Sequence, residues 1–242
     1  MKRISILTLN LCFILAFAAG CGEDSPVIDV GDEPYEPVIN PADFVAQIDN
    51  QYLPLTPGTT MIYEGESEDG SERIEVEVTQ DTKEILGVTC TIVRDRVWVD
   101  GELEEDTFDW FAQDKDGNVW YFGEDSKEYE DGVVTSTEGS WESGVDGAKP
   151  GILMKANPQV GDAYRQEYYE DEAEDLAEVL SLNESASVAY GDFENCLKTQ
   201  EWTPLEPDVV EEKYYAPGFG VVLEVAVKGG SERIELVEVK TQ

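Results

Sequence analysis

Carboxylates dominate the reactive groups of this chain: 54 Asp and Glu stand against 16 Lys and Arg, and histidine is absent. Without imidazole there is no Ser-His-Asp or Cys-His catalysis, no histidine general base, and none of the usual zinc, copper or haem ligation. Oxygen chemistry remains. One acidic cluster is Glu66, Glu68, Asp69 and Glu72, and a second is Glu172, Glu174, Asp175 and Glu178. Brought to one place, such groups would hold Ca²⁺, because a cation relieves their mutual repulsion; left apart, they are solvated hairpin ends. Asp114, Asp116 and Asn118 alternate around Gly117. That pattern resembles the start of a calcium loop, and it is equally what a tight hairpin requires. Asp109 beside Trp110 and Glu142 beside Trp141 are residue types that a glycoside hydrolase uses as acid, base and sugar platform. A carboxylate-dependent hydrolase acting on envelope glycans is therefore the catalytic alternative.

The N-terminus bears on where any of this chemistry happens. Lys2 and Arg3 precede an apolar run over residues 4–19, too short to span a bilayer and laid out like a secretory signal. Ala18, Ala19, Gly20 and Cys21 follow, resembling a bacterial lipobox with Ala18 in place of the usual Leu. In that motif the cysteine is acylated and becomes the first mature residue. Acyl chains on Cys21 would hold the protein in the cell envelope, at the outer membrane or cell surface, by burial of about 0.8 kcal/mol per methylene. In an oxidising compartment Cys90 and Cys196 are either a disulfide pair or two buried free thiols. A net charge of −38 opposes binding to nucleic acid or an anionic membrane surface. It favours cations, a basic partner, or life in a saline medium.

The elements that must position these residues are mostly strands. Ile74, Val76 and Val78 alternate with Glu75, Glu77 and Thr79, the period of a strand with one dry face. Asp100-Gly101 and Asp131-Gly132 are hairpin signals, and Phe108, Trp110 and Ala112 form a row at period two that belongs in a core. Residues 21–41, rich in Pro, Gly and acids, form a tether. Residues 42–50 are expected to form a short helix, and the spacing of Ala173, Leu176, Ala177 and Leu180 predicts another over 170–180. The long non-periodic stretch 142–158 is a candidate binding loop, with Trp141, Glu142 and Asp146 as ligand contacts beside Trp110 and Trp120, or else a plain crossover. A constant shift lays Tyr63 on Tyr169 and Cys90 on Cys196, suggesting two similar halves over about 54–141 and 158–240.

The runs IDNQYLPLTPGTTMIYEG, DWFAQDKDGNVWYFGED and GSWESGVDGAKPGILM resemble an uncharacterised family of bacterial secreted proteins and lipoproteins. The ending YYAPGFGVVLEV is similar to the last hairpin of TapB-like and DUF3108-like periplasmic proteins, and this resemblance implies a sheet related to open half-barrels. Neither implies a defined activity. The expectation is one all-β domain over 42–242 with minor α content: an antiparallel sheet curved into an open or partly closed barrel. Its expected role is a lipid-anchored, non-catalytic binding module for a hydrophobic ligand, a basic partner or Ca²⁺, with no other cofactor.

Overall fold

Strand follows strand through nearly the whole domain, and successive strands pair antiparallel until the sheet almost meets itself. The computed structural model describes residues 34–67 and 70–241. The signal segment, Cys21, Glu68 and Asp69 lie outside the described residues. Thirteen strands form the wall. They are β1 (Thr59–Glu66), β2 (Ser71–Ile85), β3 (Val88–Val99), β4 (Glu102–Asp114), β5 (Val119–Asp125), β6 (Lys149–Met154), β7 (Ala163–Arg165), β8 (Glu167–Tyr168), β9 (Leu176–Val188), β10 (Gly191–Trp202), β11 (Val210–Ala216), β12 (Gly220–Lys228) and β13 (Arg233–Thr241). β13 returns to pair with β1, so the first and last strands are neighbours. β7 and β8 share one span: β7 pairs with β9 on one side, and β8 with β6 on the other.

Alternation sets the faces. Ile74 and Val78 are buried, while Glu75 and Glu77 keep to the wet side in ion pairs with Arg73 and Arg96. Asp100 and Gly101 both take positive φ, 50° and 85°, which gives the hairpin between β3 and β4 a mirror-image turn whose twist matches its strands. Among the described residues the only helix is a single 3-10 turn, Pro41–Asp43.

The barrel is least well sealed between β6 and β8, which make two residue pairs, Lys149 with Tyr168 and Pro150 with Glu167. Pro150 has no N–H to give the ladder. Gly151 lets the backbones approach: a Cβ there would overlap the backbone of Gln166. Gly151→Ala is therefore expected to push the strands apart at their weakest junction, lowering stability by about 1–3 kcal/mol in urea denaturation. Across the seam lies the chain around Tyr35. Its hydroxyl donates to Pro150 O at 2.9 Å, Lys149 Nζ donates to Tyr35 O at 2.7 Å, and the Arg165 guanidinium stacks on Tyr168. Within the tether expected over 21–41, Tyr35 and Ile39 rest against the wall.

Three other expectations are corrected. The helix over 42–50 is replaced by the 3-10 turn and the short strands Phe44–Val45 and Ile48–Asp49. Tertiary partners win there: Gln113 Oε1 accepts from the Asp49 and Asn50 N–H groups, both at 2.9 Å. The helix over 170–180 becomes a turn and the start of β9, where Leu176 and Ala177 pair with Trp202 and Glu201. Helix propensity is a weak force beside a ladder already templated by β10. The 142–158 stretch is not irregular throughout, since its residues Lys149–Met154 are β6, which pairs with β5.

Corresponding positions recur along the chain. Gly58 N–H donates to Val78 O, and Gly161 N–H to Val179 O, both at 2.8 Å. Cys90 then lies opposite Lys83, and Cys196 opposite Glu184. The tyrosines do not match: Tyr63 is buried on β1, and Tyr169 sits at the turn after β8. The second acidic cluster is itself divided, because Glu172 is exposed in that turn while Asp175 is buried.

Candidate functional site: an acidic barrel interior

Polar residues occupy alternate, inward positions of several neighbouring strands. Glu105, Thr107 and Asp109 on β4, Thr199 and Glu201 on β10, Glu211, Lys213 and Tyr215 on β11, and Glu224 on β12 are all buried. Asp95 on β3 is 1% exposed. Burying so many carboxyl groups is costly unless each is neutralised or hydrogen-bonded.

Lys213 is the cation among them. Its Nζ lies 3.2 Å from Glu201 Oε2, 3.6 Å from Glu224 Oε2 and 3.7 Å from Glu211 Oε2. Glu201 is the best satisfied, accepting also from Thr199 Oγ1 at 2.7 Å and Tyr215 OH at 2.8 Å. Burial works against the ammonium, but Glu201, Glu224 and Glu211 outweigh it and raise Lys213 well above its ordinary range. One positive charge cannot balance this many acids. Burial, reinforced by the neighbouring carboxyls, accordingly pushes Asp95, Glu211, Glu224 and Glu167 upward. Burial lifts Glu105 to about 8 against a bond from Thr107, and lifts Asp175 to about 7 against one from Thr203. Protons supply the missing neutrality. The Tyr121 hydroxyl lies 2.8 Å from Asp109 Oδ1 and 2.9 Å from Glu124 Oε2. A phenol has one proton, so the two carboxyls compete for it.

Next to Lys213 is a cavity of about 60 Å³. Asp95, Glu201, Lys213 and Tyr215 form its polar floor, and Val93, Phe111, Leu153 and Val221 belong to its apolar wall. Leu53 and Leu55 complete that wall. They come from the segment containing Pro54–Leu55, a strand paired with Ile48–Asp49. Asn50 fixes this segment by donating to Gly117 O and accepting from the Tyr52 and Leu53 N–H groups. Both Asp95 oxygens are buried without a hydrogen-bond partner.

The residues expected from sequence to form one ligand site are dispersed. Trp110 packs with Cys90 in a separate cluster, under Lys83 Nζ at 3.2 Å from its ring centre. Lys83 also pairs with Glu142 at 2.7 Å. Trp120 donates to Asp114 Oδ2, Asp146 lies in an exposed turn, and Trp141 donates to the buried Glu167 at 3.0 Å. Asp114 also takes the backbone and side-chain N–H groups of Asn118, so its carboxylate closes a turn, while Asp116 is exposed. Among the described residues no group of three or more Cys, Asp or Glu side chains is placed to hold a metal ion. Cys90 and Cys196 are both buried free thiols, which corrects the disulfide alternative. Asp175 is the expected metal residue that does enter the acidic interior. Asp95, Glu201, Lys213 and Tyr215 were not singled out by sequence reasoning, although a lone Lys inside VVEEKYYA at period two was a usable signal.

No family model matches the chain, and neither does any curated protein. Two solved structures are similar in shape. One, from Bacteroides fragilis, is described as an exported protein with a YmcC-like fold; it is 15% identical over 79% of this chain and 100% of its own, with a TM-score of 0.48. The other, from Parabacteroides distasonis, is described as a lipoprotein; it is 13% identical over 79% of this chain and 99% of its own, with a TM-score of 0.39.

Proposed function

We propose that this chain is a lipid-anchored, extracytoplasmic, non-catalytic binding module that encloses a small ligand in the cavity beneath Leu53 and Leu55. The observation that carries this reading is Asp95, a carboxyl buried against an apolar wall with neither oxygen hydrogen-bonded. An unmet buried polar group is expensive, and a ligand that meets it recovers that cost. The cavity is far below the roughly 300 Å³ at which organic-ligand pockets begin, so the ligand has few heavy atoms and a lipid does not fit. Anchoring rests on Cys21 and the residues before it.

Two measurements test the two halves of the proposal. In a bacterial host, Cys21→Ser is expected to move the protein from the membrane fraction to the soluble one; continued membrane association would remove the anchor. A thermal-shift panel of small amines, acids and alcohols on the mature domain is expected to contain at least one saturable stabiliser. Should none raise the melting temperature, the enclosed-ligand reading fails.

A further inference from the structure

The wall and the floor of the cavity select for different chemistry. Leu53, Leu55, Val76 and Leu153 present carbon, and Phe111 presents a ring. On the floor, Glu201 and Lys213 engage each other and Tyr215 donates to Glu201. Asp95 alone has unmet acceptors. A metal ion wants several oxygens at once, which an apolar wall does not supply. An anion would meet the Asp95 carboxyl itself. A primary ammonium group on a short alkyl chain suits both surfaces: its N–H groups answer Asp95, its carbon lies on Leu and Val, and its charge is tolerated by an aromatic face.

We propose that the cavity binds a small primary ammonium cation, of about the size of methylammonium, held by Asp95 and packed against Leu55, Leu153 and Phe111. This rests on reading the cavity as the ligand site and goes further by naming the chemical class.

Charge balance gives the proposal a signature. Asp95 is influenced by Asp109 on β4, Glu224 on β12, Lys213 on β11, Arg96 beside it on β3, and Tyr63 on β1. Glu201 on β10 shares the cavity floor and Glu105 on β4 interacts with it as well. Burial first, then Asp109 and Glu224, keep the Asp95 carboxyl in its acid form despite Lys213 and Arg96. The incoming cation keeps its own protons, and Asp95 releases one to solvent, so the charge of the site is unchanged. Binding that expels one proton tightens about tenfold per pH unit until Asp95 ionises unaided.

The test uses the mature domain with methylammonium chloride, against sodium chloride and tetramethylammonium chloride at equal ionic strength. A saturable rise in melting temperature with methylammonium alone is expected, with an apparent Kd that falls about tenfold per pH unit below the ionisation of Asp95. Asp95→Asn is expected to abolish both the specific rise and its pH dependence. Leu55→Phe fills the space while leaving the carboxyl in place, and it should abolish binding too; this variant decides the matter if Asp95→Asn does not fold. Equal rises with all three salts mean screening only and overturn the proposal, as does methylammonium binding undiminished in Leu55→Phe. If a neutral or acidic solute binds in a Leu55-dependent way and methylammonium does not, the enclosed-ligand reading survives and the ammonium assignment falls.

Discussion

Raising the pH from about 5 to about 9 lowers the urea midpoint of the mature domain, the reverse of ordinary acid denaturation. The carboxyl of Glu105 shows why. In the folded protein burial holds its proton up to about pH 8, whereas the unfolded chain releases it near 4.5. Between those values the native state binds more protons than the unfolded state, so stability must fall as pH rises. The contribution is complete below pH 4.5 and gone above about 8. Asp175 adds a second window, from 3.8 to about 7, with the same sign. Asp95, Glu167, Glu211 and Glu224 shift in that direction too. For Glu105 alone the change is on the order of 5 kcal/mol as an upper figure, because water entering the barrel would reduce it. Surface self-repulsion is told apart by salt: exposed carboxylates finish ionising only above pH 5, but their mutual repulsion is screened at high ionic strength, whereas the cost of ionising a buried carboxyl is screened much less. Glu105→Gln should flatten part of the slope and raise the midpoint at alkaline pH. A midpoint that stays level or climbs between those pH values is incompatible with protonated carboxyls in the core.

Much of the wall was legible because strands announce themselves by period and by their turns. Ile74, Val76 and Val78 marked β2, and Asp100-Gly101 marked a hairpin that the backbone confirms with two positive φ values. The interior was not legible. On β4 both faces are buried: Trp110 and Ala112 pack on one side with Cys90 and Phe122, while Phe111 and Asp109 belong to the barrel side. The aromatic row therefore marks a second cluster, covered by Ile39 and Phe44, rather than the barrel core. In a chain with 54 acids, those that face inward carry the same letters as those that face water. Only pairing partners distinguish them. Glu201 is set apart by Thr199, Tyr215 and Lys213, residues that converge through the register of β10 and β11. Two expected helices failed for a related reason. Ala173 to Leu180 has helical spacing, yet β10 offers Leu176 to Val179 a ladder and a buried face. The apparent loop over 142–158 concealed β6 because Pro150 and Gly151, usually turn residues, serve a narrow seam.

Lys213→Met should be the most damaging single substitution in the interior, at about 3–5 kcal/mol near neutral pH, because it removes one partner from a buried network of charges. Methionine keeps much of the lysine volume, so loss of packing contributes little to that figure. What remains is Glu201, Glu211 and Glu224 with no cation among them, where Lys213 had stood 3.2, 3.7 and 3.6 Å away. The pH dependence identifies the cause. Burial raises the carboxyls of Glu211 and Glu224, so in acid they keep their protons and the penalty shrinks; toward alkaline pH it grows, as each ionisation leaves an uncompensated charge in a dry site. Neutralising an acid in the same background separates charge from shape: Glu201→Gln combined with Lys213→Met should recover part of the loss, although Glu201→Gln alone is destabilising because Lys213, Thr199 and Tyr215 lose their shared acceptor. A double-mutant cycle in urea, run at acidic and alkaline pH, measures that coupling directly. Were the Lys213→Met penalty the same at both pH values, or the two substitutions strictly additive, the ammonium would be a packing group only, and the interior would have to be held neutral entirely by protons.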